Sequence, residues 1–255
     1  MKRSFLFVVL LYSLCFSQEE LSLPDNCSQL ILVVTDSISS TNGRMMFLEK
    51  NGSWPNAGHF LPVVLGKNGL GWGRGLHNFV PEGFPVKKEG DGRSPAGMFK
   101  VGAAFGFAQP EEMKHLKIPY IHITDMLECV DDAESKYYNQ IVYRDSVENI
   151  DWNSSEKMHR YGRWYEQGII IEQNTDSIIN GAGSCIFIHN WVDPDETSMG
   201  CTEMNPSSLK DLIKQLDESK NPVFVQLPNY LWTKYWDKWG LPKIAIRGGK
   251  QEPMH

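Results

Sequence analysis

The chain is poor in the features that would assign it to several large functional classes. Its 25 Lys and Arg are outnumbered by 31 Asp and Glu, for a net charge of −6. No basic run or stripe offsets that balance, which argues against nucleic acid or an anionic membrane surface as partner. Beyond the first residues no stretch approaches the about 18 consecutive apolar residues of a spanning helix. Cysteine is sparse, five residues in a chain of 255, which is too long to need disulfides as staples. Internal repeats and low-complexity segments are lacking, so nothing forces a second domain. No Gly-Lys-Ser/Thr follows the glycine-rich stretch at residues 66–75, which excludes a Walker loop, and no helix pattern follows to make it a dinucleotide-binding turn.

What is present begins with an address. Lys2 and Arg3 precede the apolar run Phe5-Leu-Phe-Val-Val-Leu-Leu, and small or polar residues follow around Ser17. This is the charged region, apolar core and cleavage zone of a secretory signal peptide, expected over residues 1–17. The remainder is then expected to be exported, to the periplasm or cell envelope, without stable membrane insertion. Four cysteines remain beyond it, Cys27, Cys129, Cys185 and Cys201. An even count in an exported chain is compatible with disulfides, whose pairing spacing does not decide.

The punctuation is that of a mainly β protein. Leu30 to Thr35 and Arg44 to Glu49 form a strand pair across the turn Ser-Ser-Thr-Asn-Gly, and Phe60 to Leu65 is a third strand. Asp91-Gly92 marks a hairpin turn before a strand at Phe99 to Gly102. Tyr120 to Thr124, Gly168 to Glu172, Ser184 to His189 and the segment Pro-Val-Phe-Val-Gln-Leu-Pro near the carboxyl end are further strands. Residues 108–117 read as a short helix. A better signalled helix starts at Asn205, a capping residue followed by Pro206, with Leu209, Leu212, Ile213 and Leu216 on one face. The tail places Trp232, Trp236 and Trp239 at helical spacing. Such a stripe either stacks on sugars or docks a terminal helix on its own domain, and residues 231–255 are read as an extension packed that way. The five glycines between Gly66 and Gly75 signal a backbone that approaches a ligand closely, or a hairpin with Trp72 packed on it.

The stretch Ile-Phe-Ile-His-Asn-Trp-Val-Asp-Pro-Asp-Glu-Thr-Ser-Met-Gly-Cys-Thr-Glu-Met, residues 186–204, carries chemistry. Alternation places Cys185, Phe187 and His189 on one face of the expected strand, with Ile186 and Ile188 on the other. Turn-formers from Asp193 to Ser198 lead through Gly200 to Cys201, a loop long enough to leave the strand and return beside it. His189 would then lower the thiol pKa or relay its proton, and the Gly200 and Cys201 amides would face a developing oxyanion.

At this point the sequence resembles a family. "IHN…SMGCTEM" is similar to the signature of the L,D-transpeptidase (YkuD-like) catalytic domain, a His, a short loop, then Ser-His-Gly-Cys. "DGRSPAGMF" resembles the family's Asp-Gly-Lys-Thr-Pro-Glu-Gly turn, and "GKNGLGWGRG", "CVDDAESKYYNQIV" and "GAGSCIFIH" resemble segments of one bacterial branch, in order, over roughly residues 60 to 228. The resemblance implies a β-sandwich-like catalytic domain, here residues 25–230, with a few peripheral helices. It implies a cysteine acyltransferase acting on peptidoglycan stem peptides, with no cofactor. Cys201 would attack the carbonyl between the L-centre of diaminopimelate and the following D-alanine, and an amine or water would resolve the thioester. His189 matches the base, and the carbonyl of Asn190 matches the group that orients it.

Two departures from the pattern bear on substrate. Met199 replaces the signature's second His and cannot hydrogen-bond or carry charge. Glu203 stands where Arg or Asn is common and would repel a substrate carboxylate. Other donors are then required, and Arg74 and Arg93 are the candidates because Arg grips carboxylates bidentately. Trp72 and Ser198 complete the set of candidate substrate-binding residues. Zinc ligation by Cys185, His189 and Cys201 lacks a fourth ligand at usual spacing, so no metal is assigned. Papain-type peptidases put Cys before His, and sortases share neither the loop nor the glycine-rich segments. A cell-wall binding module without turnover, or a carboxypeptidase alone, remains as alternative. Asp131 and Asp132 point apart on an extended chain, which disfavours a carboxylate dyad and leaves loop capping.

Overall fold

A computed structural model describes residues 22–55 and 58–243. The expected leader and the last residues of the tail lie outside them. The described residues are mainly β with few helices. The strands are β1 (Gln29–Thr35), β2 (Asn42–Glu49), β3 (Leu61–Val64), β4 (Leu70–Trp72), β5 (Ser94–Gly106), β6 (Tyr120–His122), β7 (Leu127–Val130), β8 (Ile141–Tyr143), β9 (Ser155–Lys157), β10 (Gln167–Glu172), β11 (Phe187–Asn190), β12 (Thr202–Met204) and β13 (Val223–Pro228). The helices are α1 (Pro206–Gln215) and α2 (Asn229–Tyr235), with short 3-10 turns between strands.

β1 is apolar on both faces because it is central. β2 flanks it antiparallel and β13 flanks it parallel, and all its residues are buried, the run expected of a strand covered on both sides. The main sheet runs β10-β11-β12-β3-β2-β1-β13-β5, and β10 returns to pair with β5, so the path closes on itself. β5 makes the closure: Gly97 to Lys100 pairs with β13, and Lys100 to Gly106 pairs with β10. One long strand thereby joins the two ends of the sheet path. The sequence expectation had only its middle, Phe99 to Gly102.

α1 begins as its sequence dictates. The Asn205 side chain accepts from the Ser207 and Ser208 amides, Pro206 opens the first turn, and Leu209, Leu212 and Ile213 are buried, with the helix packed on β10 and β11. In the tail, Trp232 and Trp239 are buried in the main core and Trp236 packs against it. Residues 108–117 are not a helix. They proceed through bonds from Glu112 N to Gln109 O, Met113 N to Pro110 O and Leu116 N to Met113 O, while the Tyr120 hydroxyl pins the Ala108 carbonyl. Three-residue turns close there without the i to i+4 ladder that a helix needs.

A small antiparallel sheet, β8-β7-β9, stands beside the main one, and the sequence reading had no part of it. A disulfide between Cys129, in β7, and Cys185 joins the two. Cys185 has φ 54°, so the strand expected from Ser184 starts instead at Phe187. Among the described residues no helix is long and apolar enough to cross a membrane.

Candidate active site

β11 and β12 lie side by side and parallel, Ile188 opposite Thr202 and His189 opposite Glu203. Paired residues on neighbouring strands point to the same face, and the side-chain period is two. Phe187, His189, Cys201 and Glu203 therefore share one face, while Ile186, Ile188 and Met204 belong to the main core on the other side. The Cys185 part of the expected alternation fails, because its left-handed backbone precedes the strand.

The loop from β11 to Cys201 is held by Ser198. Its amide donates to the Leu65 carbonyl and its carbonyl accepts from Lys67 N, its hydroxyl donates to the Cys201 carbonyl at 2.6 Å, and the same oxygen accepts from Gly200 N at 3.1 Å. The next residue but one, Gly200, has φ 153°, a conformation that side chains on L residues resist. A Cβ there would stand 3.2 Å from the Arg93 carbonyl. Glycine thus lets the chain pass close to the turn at Arg93 and deliver Cys201 at the head of β12.

The ring of His189 is oriented by its own neighbour. Nδ1 lies 2.9 Å from the Asn190 carbonyl, which can only accept, so Nδ1 carries the hydrogen and Nε2 keeps its lone pair. Burial pushes the imidazole pKa down to about 4. Tyr165 packs edge-on against the ring at 5.1 Å. Sγ of Cys201 accepts from Phe187 N at 3.4 Å and donates to the Cys185 carbonyl at 3.5 Å. Burial, reinforced by the nearby Glu156 and Glu203 carboxylates, raises the thiol pKa well above its usual value. The resting pair is a neutral thiol and a neutral base.

Both groups open on one cavity of about 560 Å³. Its wall includes residues that sequence reasoning missed: Glu89, Asp131, Glu156, Tyr161, Tyr165 and Lys87. Glu156 comes from β9 and accepts from the Tyr165 hydroxyl at 2.6 Å; burial raises its carboxyl to about 7. Lys87 is buried and gives its ammonium to Asp91 at 2.6 Å. No motif spacing links these positions to Cys201. The small sheet brings in Asp131 and Glu156, the 3-10 segment after it Tyr161 and Tyr165, and the segment between β4 and β5 Lys87 and Glu89.

Of the four sequence-derived substrate candidates, three do not line the Cys201 cavity. Trp72 is buried and ringed by His77, Phe79, Phe84 and Trp239 at the edge of a different cavity, so it contributes packing away from Cys201. Arg74 lines a different cavity and donates through Nε to Asn174. Arg93 spends its guanidinium on the Asn68 and Leu70 carbonyls, bracing the glycine-rich loop. Ser198 lines the Cys201 cavity, but its hydroxyl is committed to the turn, which makes it a positioning group. The Gly200 amide, donated to Ser198, leaves the Cys201 amide as the remaining candidate oxyanion donor. Zinc ligation through Cys185 fails, because that sulfur is bonded to Cys129.

A cysteine that follows a glycine and a histidine held by its neighbour's carbonyl thus line one cavity of a mainly β domain. The YkuD L,D-transpeptidase catalytic domain model matches residues 33–225, more than half of the chain. The chain belongs to the L,D-transpeptidase family. The match begins earlier than the motif resemblance, because it includes the end of β1 and all of β2. No curated protein matched the chain, and no solved structure did.

Proposed function

We propose that this family member is an exported cysteine acyltransferase acting on peptidoglycan stem peptides, with Cys201 as nucleophile and His189 as base. One observation carries the reading: the thiol and the imidazole, from adjacent parallel strands, open on the same cavity. His189 Nε2 takes the Sγ proton as the sulfur attacks the carbonyl between the L-centre of diaminopimelate and D-alanine. The carbon–nitrogen bond breaks, and the proton passes from His189 to the departing D-alanine amine. The thioester is then attacked by an amine, which gives a cross-link, or by water, which gives a trimmed stem. His189 receives the attacking group's proton and the thiol is restored. The resting site suits this order of events, since a neutral base must be available before the sulfur is ionised.

Incubation with a purified tetrapeptide-bearing muropeptide tests the proposal. Release of D-alanine, with monomeric tripeptide or cross-linked dimer in the mass spectrum, is expected from the parent and not from Cys201→Ala. An unchanged muropeptide with the folded parent protein would overturn it.

A further inference from the structure

Glu203 is anomalous within the site. Its side chain is 7% exposed, it lines the Cys201 cavity, and among the described residues no group hydrogen-bonds to it. Nε2 of His189 stands 3.8 Å from its Oε1, too far for a hydrogen bond. With Nδ1 committed to Asn190, Nε2 is itself an acceptor. Once Glu203 is ionised, two acceptors therefore face each other in the cavity with no donor between them. A buried carboxylate in that position is costly unless a cation or several N–H donors reach it.

The rest of the wall repeats the charge. Glu89, Asp131, Glu156 and Glu196 line the same cavity against Lys87, whose ammonium is taken by Asp91. Glu89 has the Ser184 hydroxyl at 2.6 Å and Glu156 has that of Tyr165 at 2.6 Å. Asp131 Oδ1, by contrast, is buried without a partner. A substrate carboxylate entering here meets repulsion on several sides, whereas a compact group with three N–H donors and one positive charge supplies what the wall lacks.

We propose that Glu203 is a specificity-determining residue that binds a primary alkylammonium of the peptide substrate in the Cys201 cavity, in place of the carboxylate that an arginine at this position would hold. This rests on the reading of the cavity as the acyl-transfer site, and its test does not require turnover. Calorimetry on Cys201→Ala would compare the tetrapeptide-bearing muropeptide with the same molecule acetylated on its diaminopimelate side-chain amine. Acetylation removes the charge while keeping the length of the chain. The free amine is expected to bind about 10- to 100-fold more tightly, the range for a hydrogen bond to a charged group. Adding Glu203→Gln should erase that difference, and Glu203→Arg should reverse it. Equal affinity for the two muropeptides would overturn the proposal, as would a preference that survives Glu203→Gln. The comparison of muropeptides needs no change at Glu203, so it stands even where a variant fails to fold. A protein that discriminates the amine but never acylates would sink the acyl-transfer reading alone, and one that acylates without discriminating would sink only this one.

Discussion

Two cavities among the described residues differ less in size than in what their polar groups have left to give. The larger, about 640 Å³, is lined by Trp72, Arg74, His77, Phe79, Lys100 and Asp176 among others. There His77 accepts from Met98 N through Nδ1 and faces the Gly73 carbonyl through Nε2, Arg74 reaches Asn174, and Lys100 holds Asp176 at 2.9 Å. Internal partners occupy that chemistry. The cavity at Cys201 is about 560 Å³, and there the His189 Nε2 lone pair and the Glu203 carboxyl remain unspent. Unsatisfied valence, rather than volume, separates a site from a fold in the surface.

The contrast breaks most sharply under substitution. Cys201→Ala should abolish D-alanine release from the muropeptide. His189→Gln should lower it by about 10²- to 10⁴-fold, the usual worth of a general base. Next in size is the staple that only the smaller cavity has. Opening the Cys129–Cys185 disulfide, which closes a sequence separation of 56 residues, should cost about 2–4 kcal/mol of unfolding free energy, read by denaturant titration of a Cys129→Ala, Cys185→Ala double variant.

A smaller effect follows from charge. Glu203 titrates at about 7 in the fold against 4.5 ordinarily, through burial and the neighbouring Glu196. The folded state therefore holds more protons than the unfolded one between those values, and stability falls as pH rises through that window. Glu203→Gln removes the loss. The variant should be more stable than the parent at pH 8 by about 1–3 kcal/mol and no different at pH 4, as measured by melting at both. The smallest effect belongs to the other cavity: Arg74→Ala should leave muropeptide turnover unchanged, since Arg74 does not line the Cys201 cavity, and should move stability by no more than about 0.5 kcal/mol. A large loss there would erase the distinction between the two cavities.

The strand of His189 was readable because its signals are local, whereas the three-residue β12 after Cys201 was not expected. His189 lies in an apolar β run, Asn205 and Pro206 announce α1, and the turn-formers between His189 and Cys201 set a loop of the right length. The acidic wall was not readable. Glu156 sits on a strand of three residues, too short for alternation to register, and reaches the cavity through a sheet whose disulfide the spacing of four cysteines does not specify. The arginines were misjudged for a different reason. Glycine spacing says that backbone comes close to something but not to what. A Cβ on Gly66 would stand 2.5 Å from the Gly92 carbonyl, so the glycine-rich loop packs against its own chain, and Arg93 braces that contact. Trp72 follows the same logic and fills the core beneath the loop.

Two buried free thiols make the most direct test. Cys27 is sealed in the core and donates to the Gln29 carbonyl, and burial raises its pKa to about 11. Cys201 is also buried and raised, yet it opens on a cavity beside a base. Intact-mass spectrometry after exposure to a carbapenem, followed by peptide mapping, separates them. The account predicts a single covalent adduct, on Cys201, that is lost in Cys201→Ala. An unmodified protein, or an adduct on Cys27 instead, would contradict it.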